Sequence, residues 1–356
     1  MVMATLAATL GSHGVDAKLI ATHGPEDSPL IRQAKDAGIE VENLRMRSMW
    51  DPLGAKRFLD LMAAWHPDIV HTRTIRADLV GRLAVKREAA VINNIVNLYP
   101  DDCLARLGPF LGRAVMTVAR ATSSAARLFV ANAKAVAVNT AEAFGVPPDR
   151  VRVVYDGLPL ERWSASAPPD LSPYGIGPEN VVCLTVARLH PQKGLEDLML
   201  AARDVLKERP DVRFVVAGDG PLRDKLTALI LSEGLDGRFV LLGNRNDVPA
   251  LMARAALFVL PSRFEGLPSA VIEAMAAGKA VVATRTAGLP ELVEDGVTGW
   301  LVPAARPHAL GGEVLQALDS DLCAAGGAGR RRAEELFSDA AMARGFAAVY
   351  EAAVHA

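Results

Sequence analysis

Short apolar runs alternate with longer stretches of helical character along the whole chain. The runs have the length and composition of strands buried inside a parallel sheet, and the stretches between them have helical spacing. Predicted strands cover 17–22, 39–44, a run entered through 67–71, 89–96, 128–131, 151–155, 181–187, 212–217, 239–242, 257–260, 280–284 and 299–302. Predicted helices include 1–10, 29–37, 52–65, 76–88, a longer helix before 128, 133–144 and 269–277. This alternation favours an α/β fold with doubly wound parallel sheets.

A proline-rich interval interrupts the alternation before it restarts near residue 181. The interval has little periodicity, as is typical of an interdomain linker, and it contains Pro159, Pro168, Pro169, Pro173 and Pro178. We therefore expect two Rossmann-like domains facing across a cleft. The predicted division is an N-terminal domain at 1–160, a linker at 161–180, a C-terminal domain at 181–332 and terminal helices at 333–356. Whether the last helix crosses back to the first domain stays open.

The composition is that of ordinary soluble protein. Of 356 residues, 51% are hydrophobic and 22% charged, and the net charge of −2 gives no indication of nucleic-acid binding. The cysteines Cys103, Cys183 and Cys323 are odd in number and far apart, which favours a reduced cytoplasmic protein. No apolar run approaches the length of a spanning helix, and no Lys or Arg precedes Lys18, so a charged signal-peptide start is missing.

The segment 257–303 contains two glutamates in a strand–loop–helix–strand unit. Glu265 lies in the loop, and Glu273 lies in the second turn of the helix that Gly278 ends. Ligands of such units bind at the carboxyl ends of the strands, where a helix N-terminus suits a phosphate. Both carboxylates can therefore face one pocket and bind sugar hydroxyls. For the bare pair alone, a solvated helix face is the commoner explanation.

Two cations follow the first strand of the second block. Arg188 and Lys193 lie in a strand-to-helix loop. Arginine can grip two phosphate oxygens at once and lysine adds a point charge, so the loop is a candidate diphosphate clamp. Taken alone, it is also compatible with two surface bases.

The longer string around these residues is more specific. E-G-L-P, I-E-A-M-A-A-G and G-L-P-E-L-V-E-D-G-V-T-G-W-L-V-P closely resemble the donor-site signature of family 4 retaining glycosyltransferases. The resemblance implies the GT-B architecture, with Arg188 and Lys193 on the donor diphosphate. It also implies that Glu273 accepts hydrogen bonds from the ribose and that Glu265 contacts the transferred sugar. The further residues it implies are Gly266, Leu267 and Pro268 at the sugar and Asn244 and Arg245 at the base.

We accordingly expect a retaining hexosyltransferase of polysaccharide biosynthesis. Its expected donor is a nucleotide sugar, specifically a UDP-sugar, and we expect no separate cofactor. No D-x-D motif stands out, and since the fixed cations can stabilise the leaving diphosphate we expect no metal requirement. The expected acceptor is a hydroxyl of a lipid-linked or cell-surface glycan precursor. Two alternatives stay open: a nucleotide-sugar epimerase and an inactive nucleotide-sugar-binding remnant.

The first block departs from the family pattern in two ways. The first strand and Gly-rich loop that relatives place before the first helix are not found, and no His follows the predicted strand 89–96. Asp101 and Asp102, in the polar loop after that strand, are candidate bases for the acceptor hydroxyl, although a loop cap or a solvated pair is the commoner role. His71 is a further candidate that an ordinary core histidine explains as well.

Four arginines recur every seven residues, at Arg106, Arg113, Arg120 and Arg127. On one helix this spacing drifts only ~20° per step, so the four would form one basic stripe. Such a helix can lie on an anionic membrane surface or receive a lipid-linked pyrophosphate, which predicts peripheral association with the inner face of the membrane. A solvated face paired with acids elsewhere is the alternative.

Overall fold

The computed structural model describes residues 2–25, 28–48, 51–85, 89–163 and 167–355, apart from the side chains at 29, 30, 33, 84 and 106. The strands are β1 (Lys18–Ala21), β2 (Glu40–Asn43), β3 (Ile69–Arg73), β4 (Ala90–Ile95), β5 (Leu128–Ala131), β6 (Val151–Val153), β7 (Val181–Val186), β8 (Val212–Ala217), β9 (Phe239–Gly243), β10 (Leu257–Leu260), β11 (Ala280–Thr284) and β12 (Gly299–Val302).

The helices are α1 (Val2–Leu10), α2 (Pro29–Asp36), α3 (Pro52–Trp65), α4 (Ile75–Ala84), α5 (Asp101–Leu107), α6 (Pro109–Ala121), α7 (Lys134–Phe144), α8 (Leu195–Glu208), α9 (Arg223–Ser232), α10 (Val248–Arg254), α11 (Ser269–Ala276), α12 (Leu289–Leu292), α13 (Pro307–Leu318), α14 (Leu322–Leu336) and α15 (Asp339–His355). The helices predicted at 29–37, 52–65, 133–144 and 269–277 lie within one residue of those bounds, whereas the long helix predicted before 128 is two helices and α14 begins before the predicted terminal segment at 333. The predicted end of the helix at 76–88 falls partly on 86–88, which lie outside the described residues.

The chain divides into two compact units. The first unit comprises Met1–Leu158 with Ser338–Ala356, and the second comprises Pro159–Phe337. The last helix, α15, thus belongs to the first unit, whereas α14 belongs to the second.

The first unit contains two parallel sheets where one was expected. β1 pairs with β2 in a two-stranded sheet, and β3, β4, β5 and β6 form a four-stranded sheet in that order. One face of the larger sheet is covered by α1 and α15, which bury Leu6 and Phe346 in a cluster with Ile92 and Val130. The alternation of the sequence predicts the elements, but it does not reveal that two of the strands stand apart from the others.

The predicted arginine stripe is wrong, because no single helix carries it. Gly108 has φ 78° and Pro109 begins α6, so the chain turns back between α5 and α6. Gly112 permits this close packing, since a Cβ there would lie 2.9 Å from the Cys103 carbonyl oxygen. Arg127 lies beyond α6 and its Nε donates to the Ala353 carbonyl at 3.1 Å. Of the stripe, only Arg113 and Arg120 share a helix; Arg106 lies in α5 and its side chain is outside the described part.

The second unit has one six-stranded parallel sheet with the order β12-β11-β10-β7-β8-β9. The chain winds outwards from β7 through β8 and β9, and then returns to place β10 on the other side of β7. This reversal creates a topological switch point between β7 and β10, and ligands of open α/β sheets bind at the carboxyl ends of such strands. The loops after β7 and β10 are those that carry the predicted site residues.

The predicted linker is a packed part of the second unit rather than an exposed spacer. Trp163, Leu171 and Ile176 are buried, and Arg254 Nη2 donates to the carbonyls of Gly177 at 2.7 Å and Asn180 at 3.0 Å. Its prolines therefore shape a surface segment of that unit. Residues 164–166 of this predicted linker lie outside the described residues.

Candidate functional site

The loop after β7 reaches the loop after β10 because a glycine lets the two backbones approach. Pro191–Lys193 form one turn of 3₁₀ helix, and Gly194 follows with φ 62°. A Cβ on Gly194 would lie 2.2 Å from the Pro261 carbonyl oxygen, so a larger residue would push the loops apart. This contact sets Lys193 beside the loop that carries Glu265.

Lys193 and Glu265 form an ion pair at this junction, between residues 72 positions apart in the chain. Lys193 Nζ donates to Glu265 Oε1, and the Ser262 hydroxyl donates to the same oxygen at 2.7 Å. Glu265 is only 7% exposed. A buried carboxylate keeps its charge only where donors compensate it, and these two groups supply that compensation. Ser262 was not predicted, although a hydroxyl two residues beyond the end of an apolar strand was a signal for it.

A cavity of about 330 Å³ opens at the carboxyl ends of β7 and β8. Its volume is at the small end of the range of about 300–1,000 Å³ that ligand pockets occupy. The predicted residues that line it are Arg188, Lys193, Asn244, Arg245, Pro268 and Glu273. Glu265, Gly266 and Leu267 do not line it, although Glu265 touches it through Lys193.

Arg188 is the exposed cation of this cavity. No carboxylate among the described residues forms an ion pair with its guanidinium, in contrast to Lys193. The wall beside it depends on Gly218, where a Cβ would lie 2.0 Å from the Ala187 carbonyl oxygen. Arg188 therefore offers an uncompensated positive charge to a bound anion.

Glu273 is largely buried in the second turn of α11. Burial raises the pKa of its carboxyl to about 7, against a smaller opposing effect of the Arg162 charge. Within the described ranges, no group donates a hydrogen bond to this carboxyl. An unsatisfied carboxyl at a cavity wall is suited to neighbouring hydroxyl groups of a ligand, which supply the missing donors.

Arg245 also lines the cavity, and its side chain is already engaged in an ion pair. Its Nε and Nη2 donate to the two carboxylate oxygens of Asp247 at 2.8 and 2.6 Å. This bidentate bond raises the pKa of Arg245 and lowers that of Asp247. The side chain is thus held in place, and what Asn244 and Arg245 offer a planar base is the backbone at the end of β9.

The structure does not place the three candidate bases of the first unit in the positions that were predicted for them. Asp101 and Asp102 lie in the first turn of α5 rather than in a loop. Their negative charges there interact favourably with the positive end of the helix dipole. His71 is a core histidine: its Nδ1 lies 2.6 Å from the Tyr350 hydroxyl and its ring 4.8 Å from that of Phe346. Burial lowers the pKa of His71 to about 3, so it stays neutral at physiological pH. The structure therefore does not support His71 as a proton acceptor for a substrate.

A polar cluster at the carboxyl ends of the first unit's strands was not predicted. Arg73, the last residue of β3, donates from both terminal nitrogens to Asp156 at 2.8 Å each. Asn132, just after β5, donates to Asp156 at 2.9 Å. All three directly follow or end a predicted strand, which was the available signal. The cluster fixes the chain at Asp156, shortly before it leaves the unit at Leu158.

Neither a metal-binding cluster nor a membrane-spanning helix is found in the described part of the chain. No group of three or more His, Cys, Asp or Glu side chains is arranged to hold a metal ion there. None of the helices described there has the length and apolar character needed to cross a bilayer.

Comparison with known proteins finds glycosyltransferases for both halves. Glycosyltransferase Family 4 matches residues 1–162, and Glycosyl transferases group 1 matches residues 170–332. Alpha-maltose-1-phosphate synthase of Mycobacterium tuberculosis is 30% identical over 307 residues, which cover 78% of this chain and 76% of that protein. Alpha-D-kanosaminyltransferase of Streptomyces kanamyceticus is 36% identical over 148 residues, 41% of this chain and 38% of that protein. The chain spans less than half the length of three of its curated relatives.

Among solved structures, Anabaena Alr3699/HepE in complex with UDP superposes with a TM-score of 0.81 at 22% identity, covering 98% of this chain and 96% of that one. Its complex with UDP-glucose gives a TM-score of 0.79. These likenesses confirm the predicted fold class, two parallel-sheet α/β domains of the GT-B type.

Proposed function

Because the chain belongs to glycosyltransferase family 4, we propose that it transfers a sugar from a nucleoside diphosphate sugar to a hydroxyl acceptor. The observation that carries the proposal is the convergence of two cations and two carboxylates on one switch point of the second unit. The alternatives of an epimerase and a binding remnant have no observation in their favour.

The diphosphate is proposed to bind between Arg188 and Lys193. Arg188 is free to grip phosphate oxygens, and Ser269 and Ala270, the first two residues of α11, line the same cavity at the positive end of the helix dipole. Negative charge grows on the leaving diphosphate during transfer, and fixed cations stabilise that charge without reorganising. We therefore propose a reaction in which these groups perform the work that a divalent metal performs in other enzymes.

The Lys193–Glu265 pair is proposed to open when the donor binds. Lys193 then turns to the diphosphate, while Glu265, still held by Ser262, accepts hydrogen bonds from hydroxyls of the transferred sugar. The backbone of Gly266, Leu267 and Pro268 follows Glu265 and is proposed to line the sugar. The exchange replaces one buried ion pair by several charge-assisted hydrogen bonds, each worth about 1.5–3 kcal/mol.

Glu273 is proposed to bind the ribose. Two adjacent hydroxyls can both donate to one carboxylate, and this carboxyl has no donor among the described residues. The base is proposed to lie against the backbone of Asn244 and Arg245, at the end of β9. HepE has been crystallised with UDP and UDP-glucose, which supports a UDP-sugar donor here.

Retention of configuration, and a lipid-linked or cell-surface glycan precursor as acceptor, are proposed from the family resemblance. Surface chemistry of the first unit also supports a membrane-associated acceptor. At the start of α6, Phe110 is 89% exposed and Leu111 is 52% exposed, and the neighbouring Arg113 is exposed as well. Exposed apolar groups beside a cation suit the headgroup region of an anionic bilayer. We propose that this end of α6 touches the membrane, in place of the four-arginine stripe.

Thermal-shift and titration experiments with UDP, GDP, ADP and TDP test the donor assignment. We expect UDP to stabilise the protein and Glu273→Ala to abolish most of that effect. If Glu273→Ala binds the best nucleotide as tightly as the unaltered protein does, the ribose assignment is wrong.

A further inference from the structure

The loop between β10 and α11 is held in place at successive residues by its neighbours. The amide of Arg263 donates to the Gln192 carbonyl at 2.8 Å, and the Gln192 side-chain amide donates to the Phe264 carbonyl at 3.0 Å. The Arg263 guanidinium donates to both carboxylate oxygens of Asp197, at 3.1 and 3.3 Å. These contacts all come from the β7–α8 loop and the first turn of α8. The loop that carries Glu265 is therefore fixed to that side of the site.

A separate attachment of the same loop comes from β11. Thr284, the last residue of β11, donates its hydroxyl to the Ser262 carbonyl. Thr284 is 3% exposed, and Ser262 is completely buried. The Ser262 hydroxyl in turn donates to Glu265 Oε1 at 2.7 Å. A buried chain of hydrogen bonds thus runs from β11 through Ser262 to the Glu265 carboxylate.

The two oxygens of the Glu265 carboxylate have different surroundings. Oε1 accepts hydrogen bonds from the Lys193 ammonium and from the Ser262 hydroxyl, whereas Oε2 accepts none from the part of the chain that the structure describes. A carboxylate oxygen accepts about two hydrogen bonds, so the capacity of Oε1 is already used. Oε2 is therefore the oxygen that is left for hydroxyl groups of a ligand.

The attachment from β11 does not depend on the turn that carries Lys193. Lys193 is proposed to move from Glu265 to the diphosphate, and Gln192 belongs to the same turn of 3₁₀ helix. Thr284 instead lies on a strand whose five residues are all buried. A group that binds substrate is held most precisely when a rigid element supports it through a further hydrogen bond. The bond from Thr284 thus supports the Glu265 loop from the sheet itself.

We propose that Thr284, acting through Ser262, is a positioning residue for the transferred sugar. It keeps Oε2 of Glu265 directed at the hydroxyl groups of that sugar while Lys193 binds the diphosphate. This inference rests on the proposed function, because it requires a nucleotide sugar in the site. Neither Ser262 nor Thr284 lines the cavity of the proposed nucleotide site. Their loss therefore weakens the binding of the sugar and leaves that of the nucleoside diphosphate unchanged.

The test compares two buried threonines of the second unit. Thr185, in β7, is 1% exposed and donates its hydroxyl at 2.7 Å to the carbonyl of Val259, which lies within β10 rather than in the Glu265 loop. Thr284→Val and Thr185→Val each remove one buried hydroxyl and leave a carbonyl without its partner. Both should therefore lower the melting temperature by similar amounts. Thr284→Ser keeps the hydroxyl and serves as the conservative variant.

Titration calorimetry gives the Kd of UDP and of UDP-glucose for each protein. We expect Thr284→Val to raise the ratio of the Kd for UDP-glucose to the Kd for UDP at least roughly threefold. Ser262→Ala, which removes the hydroxyl that touches Glu265, should raise this ratio roughly tenfold. Thr185→Val and Thr284→Ser should leave the ratio as it is in the unaltered protein.

An unchanged ratio in Thr284→Val overturns the proposal, and so does an equal weakening of both ligands, which is what a merely structural role produces. Ser262→Ala decides the matter in the same way if Thr284→Val does not fold. A rise of the ratio in Thr185→Val as large as that in Thr284→Val also overturns the proposal. If the unaltered protein binds neither UDP nor UDP-glucose, the proposed function itself fails, a result distinct from these.

Discussion

Replacing Glu273 by Gln should stabilise the ligand-free protein and weaken its binding of nucleotide. The carboxyl titrates with a pKa of about 7 in the folded protein and a reference value of 4.5, because burial disfavours its charge. Because the folded-state pKa is raised, the free energy of unfolding is highest below about pH 4.5, where the carboxyl is protonated in both states. It falls as the pH rises from about 4.5 to about 7, because the unfolded chain can ionise this carboxyl more easily. A shift of about 2.5 units corresponds to at most about 3 kcal/mol above pH 7.

Glu273→Gln removes this cost, since an amide does not ionise. We expect the melting temperature of Glu273→Gln to equal that of the unaltered protein near pH 4.5 and to exceed it at pH 8. The excess at pH 8 should be at most roughly 6–12 °C for a unit of this size. The matched control is Glu208→Gln, at the exposed end of α8, which should change the melting temperature little at either pH.

The same substitution should cost affinity for UDP. An amide offers one acceptor oxygen in place of a carboxylate, so charge-assisted hydrogen bonds to the ribose are lost at about 1.5–3 kcal/mol each, roughly 10- to 150-fold in Kd. Titration calorimetry at pH 8 measures this loss. A variant that is no more stable at pH 8, or one that binds UDP unchanged, would refute the reasoning that connects burial of Glu273 to ribose binding.

Three further predictions concern the remaining groups. Lys193→Ala removes the cation that pairs with the buried carboxylate of Glu265 and should lower the free energy of unfolding by about 3–5 kcal/mol. The double variant with Glu265→Ala should recover part of that loss, and chemical denaturation measures both values. Arg188→Ala should weaken UDP binding at least roughly tenfold while changing stability by less than about 0.5 kcal/mol, because the arginine is exposed. Changing Phe110 and Leu111 together to Ser should lower binding to anionic liposomes in sedimentation assays, without affecting UDP affinity.

A different experimental outcome would contradict each of these three predictions. A double variant as unstable as Lys193→Ala alone would show that the ion pair does not explain the loss. Equal effects of Arg188→Ala on stability and on binding would indicate a structural role. Liposome binding that survives the loss of Phe110 and Leu111 would remove the first turn of α6 from the membrane proposal.

Alternation of apolar runs with helical stretches was sufficient to place the strands of the second unit, because each run is buried on both faces. The same pattern brought Glu265 and Glu273 to one switch point, since both follow β10. It did not predict the Lys193–Glu265 pair, because that contact depends on two loops that Gly194 allows to meet. Pairing between distant loops leaves no periodic signal in a sequence.

The prediction of one basic stripe from the arginine spacing was wrong for a local reason. A seven-residue period has meaning only on a continuous helix, and Gly108 followed by Pro109 ends α5 and begins α6. Similarly, nothing in the sequence distinguishes His71 in a core from His71 at a binding site. Its neighbours Phe346 and Tyr350 come from the far end of the chain, so only the fold shows that the ring is buried.

The most direct measurement of the central claim is a crystal structure of the protein with UDP. The account predicts the diphosphate within hydrogen-bond distance of Arg188 and Lys193, the ribose hydroxyls on the Glu273 carboxylate, and Lys193 Nζ turned away from Glu265. Uridine diphosphate bound on another surface, with the cavity at β7 and β8 filled only by solvent, would contradict it.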